Sequence, residues 1–196
     1  MAVAINGQWK LPLGYFFVDG LVGEQRANLV TQSLLLAHDA GAMIVALTCD
    51  GTPAYLAMLQ ELGCSFRNVD YLRTTFPHPA TQEPVAAFLD PCHMLKLVRN
   101  ALAHKKTLID NNGRTVAWQH VEWLHNLQQK EGLHLANKLC RVHIEWHRQP
   151  MKVKLAVQVI STSVATALAE CQELKLEGFV NSEPTEKFFN VYKQHI

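Results

Sequence analysis

Apolar positions in the first hundred residues alternate between two periods. Residues 22–40 place Ala27, Val30, Leu34 and Ala37 at helical spacing, and Gly41 follows as a stop. Residues 42–48 (Ala-Met-Ile-Val-Ala-Leu-Thr) form a continuous apolar run, the signature of a short, fully buried strand of a parallel sheet. A helix over about 53–62 follows and closes at Gly63. Residues 66–84, punctuated by Pro77, Pro79 and Pro84, read as loop. Residues 85–89 are another short strand and 91–104 its helix, opened by Asp90 at the cap and Pro91 at the first turn. Upstream, the aromatic-rich residues 11–19 read as a strand. Strand–helix–strand–helix order predicts an α/β layer with neighbouring parallel strands.

After about residue 105 the pattern changes. Asp110-Asn-Asn-Gly113 is a turn, and beyond it apolar residues recur only at helical spacing, over 118–127, 133–144, 151–168 and 185–192. This predicts a helical domain over 105–196 after an α/β domain over 1–104.

Composition narrows the class without choosing it. Nearly half of the 196 residues are hydrophobic and the net charge is +1, which supports a buried core and argues against a bulk basic DNA-binding domain. Five cysteines at irregular spacing read as reduced thiols. No secretory signal is visible and no apolar run approaches the ~20 residues of a membrane span, so no membrane partner is expected.

The densest chemistry lies on the helix after Asp90. His93, Lys96 and Asn100 share one face, with Arg99 beside them, while Met94, Leu95, Val98 and Leu102 can face a core. Cations in the first turns after a strand end suit an anion. On this pattern Lys96 and Arg99 are phosphate contacts or a solvated face, and Asp90 and His93 a structural cap or a nucleic-acid contact. Asp50 ends the buried strand at 42–48; carboxyl ends of strands are where an open α/β sheet gathers reactive groups. The bland alternative is a turn residue in an Asp-Gly pair. His143-Ile-Glu-Trp-His147 puts its glutamate one position too late for a His-Glu-x-x-His zinc site. No Gly-x-x-x-x-Gly-Lys-Ser/Thr loop occurs.

The block Asp90-Pro-Cys-His-Met-Leu-Lys-Leu-Val-Arg-Asn100 resembles the signature of P-element-type DNA transposases, the group that includes the THAP-domain transposases of animals. Gln8-Trp-Lys-Leu-Pro-Leu-Gly-Tyr15, Leu47-Thr-Cys-Asp-Gly51 with Leu62-Gly63, and Met151-Lys-Val-Lys-Leu-Ala-Val-Gln-Val-Ile-Ser161 resemble further blocks in the same order. The resemblance implies a partial ribonuclease-H-like sheet with flanking helices, followed by an all-helical GTP-binding insertion domain.

It also implies roles. Asp50 corresponds to one of the family's three acidic residues that hold two Mg²⁺ ions for DNA cleavage and strand transfer. The family's first aspartate lies upstream of the Trp-Lys-Leu-Pro block and its glutamate beyond the insertion. The chain alone is therefore expected to bind Mg²⁺ weakly and to cut no DNA. Residues 13–19 would be strand 3 and 43–48 strand 4 of a 3-2-1-4-5 sheet. Steps of ~4.8 Å then put Asp19 roughly 14 Å from Asp50, too far for metals ~3.5–4 Å apart, so Asp19 is assigned to a turn with Gly20.

Lys138, Lys152, Val153 and Ser161 correspond to nucleotide contacts, with the bland alternative of surface lysines and a helix serine bonding to its own turn. Expected partners are DNA, through His93, Lys96 and Arg99, a guanine nucleotide, and further copies of the complete protein, in the nucleus. No zinc-coordinating THAP module is present. Related sequences carry asparagine where Tyr55 stands, which keeps open a second reading: a catalytically dead DNA-binding or protein-interaction regulator.

Overall fold

A computed structural model describes residues 1–17, 19–66, 68–132, 135 and 137–193. It divides into two compact units, 1–90 and 91–196.

In the first unit, strands β1 (Ala2–Val3) and β2 (Lys10–Leu11) form a small antiparallel ribbon. The strand expected over 11–19 does not form: pairing stops at Leu11, and residues 12–17 are irregular and exposed, Tyr15 at 83%. Pro12 has no amide to donate, so it ends the ladder. Val18 lies outside the described residues. Helix α1 (Gly23–Asp39) packs Ala27 and Leu34 into a cluster with Met58 and Leu59 of helix α2 (Pro53–Leu62). Helix α2 ends as expected, at Gly63 with φ 111°.

The sheet has three strands in the order β3 (Ala46–Cys49), β5 (Pro84–Leu89), β4 (Thr75–Pro77). Strands β3 and β5 run parallel in the register Ala46↔Ala86 to Cys49↔Leu89, the pairing that the strand–helix order predicts. Strand β4 is antiparallel to β5 and falls in the segment read as loop. Its prolines hid it, yet an edge strand tolerates Pro77. Strand β3 is not fully buried. Val85 and Ala87 of β5 are buried while Phe88 is 55% exposed, so one sheet face carries the core and the other is open.

The second unit opens with helix α3 (Pro91–Lys105), so the division falls ahead of the pattern change near 105. It is not all-helical: β6 (Thr107–Ile109) and β7 (Thr115–Ala117) form a hairpin. The Asp110 carboxylate accepts the amides of Asn112 and Arg114 at 2.9 and 2.8 Å, and Gly113 takes φ 75°. Strands of three residues are too short to display an alternation. Helix α4 (Gln119–Glu131) ends at Gly132. Within the range 133–144 expected as helix, α5 (Arg141–Ile144) is the helix among the described residues; Leu133, His134 and Ala136 lie outside them.

The helix expected over 151–168 is two, α6 (Val153–Val159) and α7 (Thr162–Glu173). Residues 153–173 are long and apolar enough to span a membrane by length and composition alone, contrary to the expectation that no run approaches that length. They break at Ile160–Ser161, and Leu155, Ala156, Val159, Val164 and Leu168 are buried within the protein. Helix α8 (Glu183–Lys193) completes a core around Trp118, Leu124, Leu168 and Phe189.

Candidate functional site

The first unit presents two carboxylates at one rim. The β3–β5 register ends at Cys49↔Leu89, and the Asp90 amide still donates to the Cys49 carbonyl at 2.8 Å. Because the strands are parallel, Asp50 and Asp90 leave the sheet at the same edge, on neighbouring strands ~4.8 Å apart. Both are half-buried. Thr52 then starts α2: its carbonyl accepts the amides of Tyr55 and Leu56 at 3.0 Å, with Pro53 in the first turn. A rigid strand before Asp50 and a helix start after it fix that side chain's origin. Burial pushes the Cys49 thiol up from its ordinary pKa, and the negative charge of Asp50 pushes it further.

Carboxylate oxygens are the donors a hard divalent ion prefers, so Asp50 with Asp90 fits Mg²⁺ in chemistry. Among the described residues there is no group of three or more His, Cys, Asp and Glu side chains placed for a metal. Asp19 is exposed beside Gly20, whose φ is 68°, in keeping with a turn. Tyr55 packs under Arg26, the guanidinium 5.0 Å from the ring centroid.

The cationic residues of α3 are not a solvated face. His93, Lys96 and Arg99 are all buried, Arg99 completely. The Lys96 ammonium lies 3.2 Å from His93 Nδ1 and 3.6 Å from the Met151 sulfur. Arg99 Nη2 donates to the carbonyls of Gln149 and Pro150 at 3.4 and 3.3 Å, and Asn100 Nδ2 to Pro150 at 3.1 Å. These side chains clamp residues 149–151 onto the helix. Among the described residues Arg99 Nε and Nη1 have no partner, and burial lowers the guanidinium's pKa. Helical periodicity gave no sign of this, because the clamped loop lies about fifty residues downstream.

The expected nucleotide contacts are spread over three positions of the second unit. Lys138 is exposed in an irregular segment, and exposed Lys152 precedes α6 with Val153 as its first residue. Ser161 caps α7: its Oγ accepts the Val164 amide at 3.3 Å and donates to the Gln158 carbonyl at 3.0 Å. The turn-bonding serine is thus observed. A cavity of about 520 Å³, within the range of small-ligand sites, is lined by Leu135, Thr162, Ser163, Thr166 and Glu170. The hydroxyls at 162, 163 and 166 went unremarked in the sequence; their i, i+1, i+4 spacing on one helix was the available signal. His143 and His147 do not share a helix, since α5 stops at Ile144.

The first unit is thus a mixed three-stranded sheet with two aspartates at one rim, and the second unit is largely helical. Residues 1–63 match the TNP-like ribonuclease H N-terminal domain, and residues 92–195 the TNP-like GTP-binding insertion domain. The chain belongs to the P-element-type transposase family. It is 34% identical over 192 residues to DNA transposase THAP9 of Homo sapiens, covering 97% of the chain and 21% of that protein. It is 27% identical over 189 residues to the P transposase of Drosophila melanogaster, covering 95% and 24%. The Drosophila P element transposase strand transfer complex superposes with a TM-score of 0.72 at 28% identity, over 84% of this chain and 36% of that one. The chain thus spans about a quarter or less of the curated relatives' length.

Proposed function

We propose that this chain serves in a P-element-type DNA transposase, in the nucleus, with Asp50 contributing a carboxylate to a Mg²⁺ site and the second unit holding a guanine nucleotide. The observation that carries the reading is the shared rim: Asp50 follows a strand whose parallel neighbour ends in Asp90. The sheet fixes the origin of Asp50, so its oxygens meet a cation with little reorganisation. The ion, when bound, supplies Lewis-acid polarisation of a DNA phosphate for in-line attack. The relative solved as a strand transfer complex supports DNA as the partner.

The 196-residue chain by itself is expected to hold Mg²⁺ weakly and to leave DNA uncut, because two-metal chemistry needs more acidic ligands than Asp50 supplies. A nuclease assay with Mg²⁺ or Mn²⁺ tests this. No metal-dependent cleavage is expected; cleavage lost in Asp50→Asn would mean that the chain carries a complete site.

For the nucleotide, exposed Lys138 and Lys152 supply cations for a triphosphate and Ser161 a hydroxyl. Binding of a fluorescent GTP analogue is expected to weaken on the order of tenfold in Lys152→Ala, by loss of one charge-assisted contact. Equal affinity in wild type and variant removes Lys152 from the site. Buried His93, Lys96 and Arg99 serve the fold around residues 149–151, and reach a DNA phosphate only if that loop moves. A second reading is favoured by Tyr55, which is engaged with Arg26: a regulator in which the rim no longer works in catalysis. Mg²⁺ binding that depends on Asp50 favours the enzyme, and its absence favours the regulator.

A further inference from the structure

Given the guanine-nucleotide reading of the second unit, on which this rests, we infer that Arg99 and Asn100 of α3 are positioning residues for the nucleotide: their grip on the loop at 149–151 sets where Lys152 stands. Positions 96, 99 and 100 share one face of α3. That face holds three consecutive loop residues. Arg99 Nη2 donates to the carbonyls of Gln149 and Pro150 at 3.4 and 3.3 Å, and Asn100 Nδ2 donates to that of Pro150 at 3.1 Å. The Lys96 ammonium lies 3.6 Å from the Met151 sulfur. The Gln149 carbonyl also accepts the amide of Lys152 at 3.3 Å. Arg99 and the Lys152 backbone therefore meet on one oxygen.

Lys152 is extended, φ −79° and ψ 103°, and turns the chain into α6 without a side-chain cap bond. Its side chain is exposed. On the far side of it, Leu155, Ala156 and Val159 anchor α6 in the core, and Ser161 follows the helix. On the near side apolar burial supplies no such anchor, since Met151 is 69% exposed. There the polar clamp from α3 takes its place, so Lys152 is pinned from both directions.

Stability alone does not account for the clamp. Arg99 is completely buried, and among the described residues its Nε and Nη1, and Asn100 Oδ1, have no partner. An apolar side chain of similar size fills the same space without desolvating a charge. The guanidinium adds direction: one planar fork bonds two successive carbonyls. That orients the peptide planes at 149 and 150, and with them the point from which Lys152 leaves. A contact residue ordered in advance binds more tightly, because less freedom is lost on binding.

The test titrates a fluorescent GTP analogue into the 196-residue chain as wild type, Arg99→Met, Lys152→Ala and the double variant, with a thermal melt of each. Arg99→Met is expected to melt near the wild type yet to weaken binding on the order of tenfold. In the Lys152→Ala background it is expected to cost nothing further, because the clamp acts through Lys152. Unchanged affinity in Arg99→Met while Lys152→Ala still weakens binding overturns the positioning role and leaves the nucleotide reading standing. Losses that add in the double variant also overturn it. No binding by the wild type overturns both. If Arg99→Met does not fold, Asn100→Ala, which removes the donor to Pro150 alone, decides by the same cycle.

Discussion

The amide of Asp90 donates to the carbonyl of Cys49 at 2.8 Å. This bond carries the parallel β3–β5 pairing one residue past the last registered pair, Cys49↔Leu89. It locks two chain exits together, so neither Asp50 nor Asp90 can leave the rim without breaking the ladder. The bond thus holds the backbone origins of the two carboxylates together at one rim.

The charge of Asp50 is readable through a thiol. The negative charge of Asp50 helps to raise the Cys49 pKa, after burial, the larger cause. Removing the charge must therefore lower it. Asp50→Asn is expected to move the pH profile of Cys49 alkylation toward lower pH. Saturating Mg²⁺ should produce the same direction in the wild type and no change in Asp50→Asn. An unchanged profile in the variant would separate Asp50 from Cys49.

Gly23 sets the distance between α1 and α2. A Cβ added there would lie 2.8 Å from the Ala57 Cβ and 3.0 Å from its carbonyl carbon. Gly23→Ala gains helix propensity of up to ~1 kcal/mol, but the clash with backbone costs about 1–3 kcal/mol. The expected net is destabilisation, read as a lower urea midpoint of the first unit; a higher midpoint would show that the helices separate freely.

Arg99 is a buried cation whose Nε and Nη1 have no partner among the described residues. Its contacts to the loop carbonyls are long, 3.4 and 3.3 Å. An apolar side chain of similar volume avoids the desolvation cost. Arg99→Met is expected to hold stability within about 1 kcal/mol of wild type or raise it, whereas Arg99→Ala should lose about 2–5 kcal/mol to the cavity. Thermal melts of the two variants check this; equal large losses in both would assign the guanidinium itself a stabilising role.

His120 gives the second unit an acid sensitivity. Its ring bonds to Thr185 Oγ1 at 2.8 Å, and burial holds its pKa below the ordinary 6.5. A base with a depressed folded pKa binds its proton first in the unfolded chain, so stability falls as pH drops below about 6.5. The loss is up to ~1.4 kcal/mol per pH unit until the folded pKa is reached. Melting at pH 7.5 and 5.5 should show a smaller difference in His120→Gln than in wild type. An identical difference would place the sensitivity elsewhere.

The positions of α1, α2 and β5 were legible because each rests on local rules: spacing of apolar residues, Pro53 at a helix start, Gly63 at a helix stop. Asp50 and Asp90 were legible as strand-end residues, though only the register joins them. Strand β4 and the β6–β7 hairpin were not legible, since strands of three residues show no period and Pro77 argues against one. The aromatic segment after Leu11 failed in the opposite way: its residues favour strands, but a strand also needs a neighbour with free amides. The burial of Lys96 and Arg99 depends on a loop about fifty residues away, which no local pattern reveals. The break between α6 and α7 had a visible cue in Ser161, a cap residue inside an apolar run.

The most direct test of the aspartate rim is an amide NMR titration of the 196-residue chain with Mg²⁺. Metal binding at Asp50 predicts weak, saturable shifts concentrated on the amides of residues 49–51 and 89–90, abolished in Asp50→Asn. Shifts that persist unchanged in Asp50→Asn, or that avoid the rim altogether, would contradict it.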